Sequence, residues 1–345
     1  MRTVIVGGTW GINHKRSSIV DKLSVLFDTN ELYNGMPGLS DLPMYPDGDL
    51  IIWMPDIPNE EAKHYPIKSG GAVLICSKVM RDGYSKIDAV SRIFKMHGNA
   101  VIAISKRMSF YNFELIDALG NTWYNGISLP ELSDAISIFY LFTKDAIRVQ
   151  STWVPMSLRM SDENFDNVLG LLAINDTLKD SIMTQCGSRF FGNVSTRCQN
   201  LFPTIRAKTG IYVSPRNSDK SEILTEDMIF CTMENGVVRF YGDKNIKPSV
   251  DTPIQIGVYE ERPRLNFMIH GHAFLKGNSY PFYTGETERY CLCGDMKEKD
   301  EILKIIPDGF NNGIINLRNH GFLAFSDTLK NMEMMFKLAK WEMTK

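Results

Sequence analysis

Four continuous apolar runs, residues 3–6, 50–54, 72–76 and 100–105, punctuate the first third of the chain. They are rich in Val and Ile and lack polar alternation, which predicts parallel strands buried on both faces. Residues 19–27, 86–96 and 129–142 instead space their apolar side chains at helical intervals, so strand and helix alternate. The expected fold class is α/β, beginning with a three-layer, doubly wound domain of Rossmann or flavodoxin type. The pattern degrades through residues 149–160, where Pro155 and several Ser and Thr mark a connector. That places the boundary near residue 158 and gives domains 1–158 and 159–345. Further on, a helical pattern covers 163–185 and short strands fall at 211–213, 228–232 and 237–241. A helix at 252–261, a strand at 267–272 and a closing helix at 327–341 complete the pattern. The second domain is therefore expected to be mixed, around a core built largely of strands.

Composition leaves that picture intact and narrows the function. The 345 residues are 43% hydrophobic and 23% charged, the balance of a soluble globular chain of about two domains. Lys and Arg number 38 against 40 Asp and Glu, so no basic field is available to attract nucleic acid, and no direct nucleic-acid binding is expected. No run approaches the ~20 apolar residues of a membrane span. The first residues pass into a strand pattern rather than a signal peptide, so a cytoplasmic location is expected. The six cysteines (Cys76, Cys186, Cys198, Cys231, Cys291 and Cys293) form no CxxC pair and are expected to be free buried thiols.

The candidate chemistry is concentrated near the end of the chain. Three of the six histidines lie in two compact motifs, Ile269-His270-Gly271-His272-Ala273 and Arg318-Asn319-His320-Gly321-Phe322. On a strand, residues i and i+2 share a face, so His270 and His272 can aim at one point. His320 would complete a set of three. Three neutral nitrogen ligands with a fourth position left for a carboxylate, water or substrate suit catalytic zinc, and Mn2+, Fe2+ or Co2+ accept the same donors. The plainer alternative is three hydrogen-bonded structural histidines. A second candidate lies at the other end, in Gly7-Gly8-Thr9-Trp10-Gly11 with Lys15 and Arg16 close behind. A glycine turn after a first strand is where open α/β sheets bind nucleotides or phosphates, although such a turn also needs glycine for geometry alone.

Context sharpens the histidine reading. The order Lys247-Pro248-Ser249-Val250-Asp251-Thr252-Pro253, Gly257-Val258-Tyr259-Glu260-Glu261-Arg262-Pro263 and Asn266-Phe267-Met268-Ile269-His270-Gly271-His272-Ala273 resembles the class II aldolase/epimerase family. That family includes L-fuculose-phosphate aldolase, L-ribulose-5-phosphate 4-epimerase and the adducin head. Upstream, Gly192-Asn193-Val194-Ser195 is similar to its GNVS segment and Lys208-Thr209-Gly210-Ile211 to its P-[ST]-G turn. Downstream, Asn319-His320-Gly321 and an amphipathic helix resemble its third ligand and closing helix. The resemblance covers roughly residues 160–340 and does not reach the first 150.

The resemblance implies an α/β/α domain with a mainly antiparallel central sheet and a metal held by His270, His272 and His320. It makes Asp251 a fourth ligand or acid/base, where Asp looks more like the 4-epimerase branch, and the same residue is also placed to N-cap the following helix. It implies a phosphate cradle of Asn193, Thr209, Gly210 and Ser249. Glu286 and Glu288 fall in the region from which the 4-epimerases draw a second acid. The implied activity is zinc-dependent aldol cleavage or epimerisation of a sugar, sugar phosphate or nucleotide-linked sugar through an enediolate, in a homotetramer. Two departures bear on the substrate. Val250 replaces the second serine of the family's pair, and no counterpart of its tail tyrosine follows the closing helix. Two other readings stay open at this stage: a non-catalytic assembly module like the adducin head, or catalysis by the N-terminal domain.

Overall fold

The computed structural model describes residues 1–7, 9–10, 15–29, 32–34, 48–54, 71–107, 109–144, 146, 151–177, 185–186, 189–220 and 222–343. The chain forms two units, Met1–Arg148 and Val149–Lys345. The division falls ten residues before the expected 158, because Ser151–Val154 is a strand paired with Val237–Tyr241 and so belongs to the second unit.

In the first unit the strands are β1 (Thr3–Gly7), β2 (Leu32–Asn34), β3 (Leu50–Met54), β4 (Val73–Met80), β5 (Ala100–Arg107), β6 (Phe110–Asp117) and β7 (Thr122–Gly126). They form one sheet in the order β2-β1-β3-β4-β5-β6-β7. The first five are mutually parallel, as their unbroken apolar runs require, and β6 and β7 extend the sheet as an antiparallel hairpin. The helices are α1 (Ser18–Leu26), α2 (Lys86–Met96) and α3 (Leu129–Thr143). Ile19, Val20 and Leu23 of α1 and Leu132, Ile136 and Phe139 of α3 bury against Ile5, Ile52, Ile75 and Ile102. Helix α2 packs on β4 and β5 outside that cluster. Alternate strand residues such as Leu74, Cys76 and Val101, also fully buried, face the other side. Three layers result. The hairpin turn rests on Asp117, whose carboxylate accepts the Leu119 and Asn121 N–H groups, both at 2.9 Å, and the Trp123 indole N–H at 3.0 Å.

The second unit contains β8 (Ser151–Val154), α4 (Asp162–Asp176), β9 (Asn193–Arg197), β10 (Gly210–Val213), β11 (Ile229–Glu234), β12 (Val237–Tyr241) and α5 (Thr252–Glu261). It continues with β13 (Phe267–Gly271), β14 (Ala273–Leu275), β15 (Tyr283–Glu286), α6 (Lys297–Ile305), β16 (Asn312–Leu317), β17 (Gly321–Ser326), α7 (Leu329–Leu338) and β18 (Trp341–Met343). Nine strands form a sheet in the order β8-β12-β11-β10-β9-β13-β17-β16-β15. Its inner pairs are antiparallel and its two outermost pairs parallel. Val168 and Leu171 of α4 and Met332, Met335 and Phe336 of α7 close one face over Val194, Ile269 and Ala324. Ile254 and Val258 of α5 and Ile302 of α6 close the other over Ile211, Met268 and Phe325. The methionines of the closing helix are thus core, apart from Met334, which is exposed. That helix ends before residue 341, because Trp341–Met343 pairs with Ala273–Leu275 as a strand. None of the helices among the described residues is long and apolar enough to cross a membrane.

One half-buried cation ties α5 to the sheet. The Arg197 guanidinium donates to the carbonyls of Leu265 (2.8 Å), Tyr259 (2.6 Å) and Arg262 (3.1 Å) and lies over the Tyr259 ring. Two of those carbonyls end α5, where a positive charge is favoured. Arg197→Met leaves the carbonyls without their donors and is expected to destabilise the protein by about 2–4 kcal/mol in urea unfolding. A change below about 0.5 kcal/mol would show that water replaces the guanidinium.

Candidate metal centre

The three histidines converge because two tight backbone features meet. His270 is the fourth residue of β13, opposite Leu323 of β17, and His272 follows the end of the same strand. His320 sits in the three-residue turn joining β16 to β17, closed by its own N–H to the Leu317 carbonyl at 2.9 Å. Asn319 takes φ +55°, a left-handed conformation that asparagine tolerates better than most residues. Gly321 takes φ +151°. A Cβ at Gly321 would overlap the Gly271 carbonyl oxygen and come within 3.0 Å of the His272 Cα. The glycines of the two motifs are therefore in backbone contact, and that contact brings the imidazoles together.

The ring centroids lie 4.8 Å (His270 and His320), 5.1 Å (His270 and His272) and 5.3 Å (His272 and His320) apart. One nitrogen from each falls within 4.8 Å of the other two, and all three residues are buried. His270 Nδ1 lies 2.8 Å from the Phe322 carbonyl, which fixes the proton on Nδ1 and leaves a lone pair on Nε2. That Nε2 is buried and has no hydrogen-bond partner, the state expected of a nitrogen awaiting a metal rather than of a structural histidine. Phe191 stacks on the His272 ring at 4.8 Å and orients it.

His320 is held by Glu298, the second residue of α6, through Nδ1 to Oε1 at 2.6 Å. A carboxylate on the far nitrogen of a ligand histidine sets its tautomer and raises its basicity. On its other side, the Cys293 Sγ lies 3.2 Å from His320 Nε2. Neither Glu298 nor Cys293 was expected from the sequence. Glu298 left one trace there: with Glu301 and Ile302 it lies on the buried face of an otherwise polar amphipathic helix. An acid at a core position of such a helix asks for a partner. Cys293 left none, since Cys291-Leu292-Cys293 has no spacing that marks a site.

Asp251 occupies the N-cap position of α5, but its side chain does not cap the helix. The carboxylate turns inward. Oδ1 accepts the Gly294 N–H at 2.8 Å, and Oδ2 accepts Asn193 Nδ2 at 3.1 Å. Asn193 pairs in register with His270 and also donates to Ser249 Oγ at 3.2 Å, and its carbonyl receives the Gln255 amide. Asn193, Ser249 and Asp251 therefore form one network beside the histidines. Thr209 and Gly210 do not join it. The register Ser195 to Val213 and Arg197 to Ile211 puts Gly210 against Cys198, at the far end of β9. That is about 17 Å from Asn193 at the rise of a strand. Gly210 is glycine for packing, since a Cβ there would meet Leu201 and Phe230. The turn that reaches Asn193's end of the sheet is residues 214–217. Its Arg216 N–H bonds the Lys247 carbonyl, and it borders a cleft of about 620 Å³.

Glu286 and Glu288 are exposed and stand outside the buried cluster; the acid that touches a site histidine is Glu298. At the N-terminal glycine turn, Gly7 ends β1, and a Cβ there would press on Val20 of α1 at 2.8 Å. Gly8 and Gly11 lie outside the described residues. Lys15–Arg16 pairs with Thr9–Trp10 as a short hairpin. Ser17 caps α1 by accepting the Ile19 N–H at 3.2 Å. Among the described residues, Cys76, Cys198, Cys231 and Cys291 are buried thiols outside any disulfide, and Cys293 is a partly exposed one.

Burial sets the charge states. It pushes the pKa of His270 down to about 4 and that of His272 well below the usual histidine range, with the neighbouring imidazoles acting in the same direction. Burial also works to lower His320, but the Glu298 carboxylate and Cys293 more than offset it and hold His320 well above its ordinary value. For His270 and His272 the unfolded chain binds protons near pH 6.5 that the folded chain refuses. Their stabilising neutrality is thus present above that pH and lost as pH falls toward 4. His320 is protonated in both states at the acid end of that window and adds no slope there; near pH 6.5 and above, the unfolded chain releases its proton while the folded chain keeps it, so His320 there partly offsets the gain from the other two. The metal-free protein is expected to lose up to about 1.4 kcal/mol per pH unit for each of the two histidines between pH 6.5 and 4. Thermal midpoints at pH 7 and pH 5 check this, and equal midpoints would contradict a neutral buried pair.

Comparison with known proteins gives a family match for part of the chain. Residues 174–341 match the family model described as the class II aldolase and adducin N-terminal domain. That segment, wholly inside the second unit, belongs to the family. Among solved structures the chain is similar to an aldolase II superfamily protein from Pseudomonas syringae, at 12% identity over 52% of this chain and 72% of that one, TM-score 0.39. It is also similar to L-fuculose 1-phosphate aldolase from Glaciozyma antarctica PI12, at 14% identity over 56% and 82%, TM-score 0.36. A third is the N-terminal class II aldolase domain of a conserved protein from Thermoplasma acidophilum, at 17% identity over 54% and 93%, TM-score 0.34. No curated protein matches the chain.

Proposed function

We propose that the second unit is a zinc-dependent aldolase or 4-epimerase-type enzyme acting on a sugar, sugar phosphate or nucleotide-linked sugar. The observation that carries this reading is the buried His270, His272 and His320 set, with His270 Nε2 unpartnered and His320 backed by Glu298. An assembly module has no use for three converging imidazoles, whose burial alone is costly. Zinc fits the donors, and His270, His272 and His320 would hold it. When bound, the metal supplies Lewis acidity toward a substrate carbonyl, lowering the cost of the negative charge that builds on oxygen as the carbon–carbon bond opens.

The chain's own residues do the rest. Asp251 Oδ2 accepts from Asn193 and, at 3.5 Å, from Ser249 Oγ, while Oδ1 accepts the Gly294 N–H and keeps a second lone pair, through which it can take a proton from a substrate hydroxyl. Asn193, itself fixed by Gln255, keeps that carboxylate aimed. The partial phosphate cradle, with Thr209 and Gly210 remote and Val250 beside Ser249, favours substrates whose far end is not a simple phosphate monoester. Assembly as a homotetramer is part of the proposal; light scattering should give about four times the 39.2 kDa chain mass.

The test is a panel of ketoses, ketose phosphates and nucleotide-linked sugars incubated with zinc-loaded protein. Release of an aldehyde fragment, or appearance of the 4-epimer by NMR, is expected, abolished by chelator and restored by zinc. Zinc-loaded protein that transforms nothing on the panel would count against an aldolase or epimerase and return the assembly module to first place.

A further inference from the structure

Cys293 lies in the loop that leads from β15 to α6, and the structure pins the chain at two points just after the thiol. One residue on, the Gly294 N–H donates to Asp251 Oδ1, and Gly294 takes φ +81°, which turns that N–H inward. Five residues on, Glu298 grips His320. Just ahead of these anchors the Cys293 Sγ lies 3.2 Å from His320 Nε2, the ring nitrogen opposite the one that Glu298 holds. We propose that Cys293 is a fourth protein ligand of the metal, so that the resting site is three histidines and one cysteine.

Geometry supports this. With zinc–nitrogen distances near 2.0–2.1 Å and zinc–sulfur near 2.3 Å, a tetrahedral ion holds its sulfur and nitrogen donors roughly 3.6 Å apart. The Cys293 sulfur is within a few tenths of an ångström of that spacing from His320; the group whose donor atoms lie within 4.8 Å of one another is the three histidines alone, so ligation also carries the thiol inward toward His270 and His272. A second, independent sign is His270 Nε2, buried without a partner in the same cluster. Asp251, the residue that the family resemblance would place on the metal, has one carboxylate oxygen on the Gly294 N–H and the other on Asn193. It is therefore built to hold the cysteine loop in place, leaving the fourth direction to the thiol.

On ligation the Cys293 S–H bond breaks, the metal–sulfur bond forms and the proton leaves to solvent. A soft thiolate among three imidazoles biases the site toward zinc or cobalt and against manganese or magnesium, which prefer oxygen donors. It also closes the site until a substrate displaces it or adds a fifth donor.

This inference rests on the metal reading above, and cobalt separates the two. Metal-free protein titrated with Co2+ is expected to bind about one ion per chain, with strong visible bands of a four-coordinate ion and a near-ultraviolet sulfur-to-cobalt charge-transfer band. Cys293→Ser should keep the cobalt and the visible bands and lose the charge-transfer band; Cys291→Ser should keep both. In parallel, zinc should protect Cys293 of the wild-type protein from iodoacetamide, as mapped by mass spectrometry, which needs no variant. Visible bands without a charge-transfer band, or alkylation of Cys293 unchanged by zinc, would overturn the cysteine ligand and leave the three-histidine site standing. Wild-type protein that binds no cobalt would overturn both.

Discussion

Gly321→Ala is expected to abolish metal binding and to cost about 2–6 kcal/mol of stability. Two effects add. The backbone at Gly321 has φ +151°, a region that side-chain-bearing residues avoid at a cost of order 1–3 kcal/mol. The new methyl would also overlap the Gly271 carbonyl oxygen, a backbone atom that cannot swing aside. Relieving that overlap costs about 1–3 kcal/mol more, by analogy with overpacked cores. The shift falls on the segment between His270 and His272, so the imidazoles separate together. Gly236→Ala is the control. Gly236 also has positive φ (+77°), but open space surrounds its absent side chain. It should cost about 1 kcal/mol and leave metal binding intact. Equal effects of the two substitutions on metal affinity would show that the contact between the glycine motifs does not assemble the site.

Glu298→Gln is expected to weaken metal binding by about 10- to 100-fold with little change in fold, the usual consequence of neutralising a carboxylate behind a ligand histidine. The amide oxygen can still accept from His320 Nδ1, so geometry survives and only the charge is lost. The metal-free variant should also lose the raised His320 pKa, because the Glu298 carboxylate is the largest of the influences that raise it. Competition against a chromogenic chelator measures the first effect, and NMR titration of the imidazole the second. An affinity within twofold of wild type would show that Glu298 serves only the packing of α6.

Much of this was legible in the sequence, and what was missed has a common cause. The parallel strands of the first unit announced themselves as unbroken Val and Ile runs, because burial on both faces removes the polar alternation. The histidines were legible because each sits in a short backbone feature with its glycine beside it: a strand for His270 and His272, a turn for His320. Assignments that depended on register were not. Thr209 and Gly210 resembled a turn beside Asn193 until the pairing of β9 with β10 carried them to the other end of the sheet. The hairpin of β6 and β7 has no counterpart among the strands expected from the sequence, because its exposed Phe110 and Tyr111 break the apolar pattern. Glu298 and Cys293 reach the site from a helix start and a loop at least twenty residues from either histidine motif, and no local spacing encodes such a meeting.

The measurement that bears most directly on the account is elemental analysis of metal per chain, comparing wild-type protein with a folded His270→Ala/His272→Ala variant. About one zinc per wild-type chain and none in the variant is the predicted result, since two imidazoles are removed from a three-histidine set. Wild-type protein that was never exposed to chelator, is then incubated with zinc and still retains none would contradict the metal centre and the chemistry proposed for it.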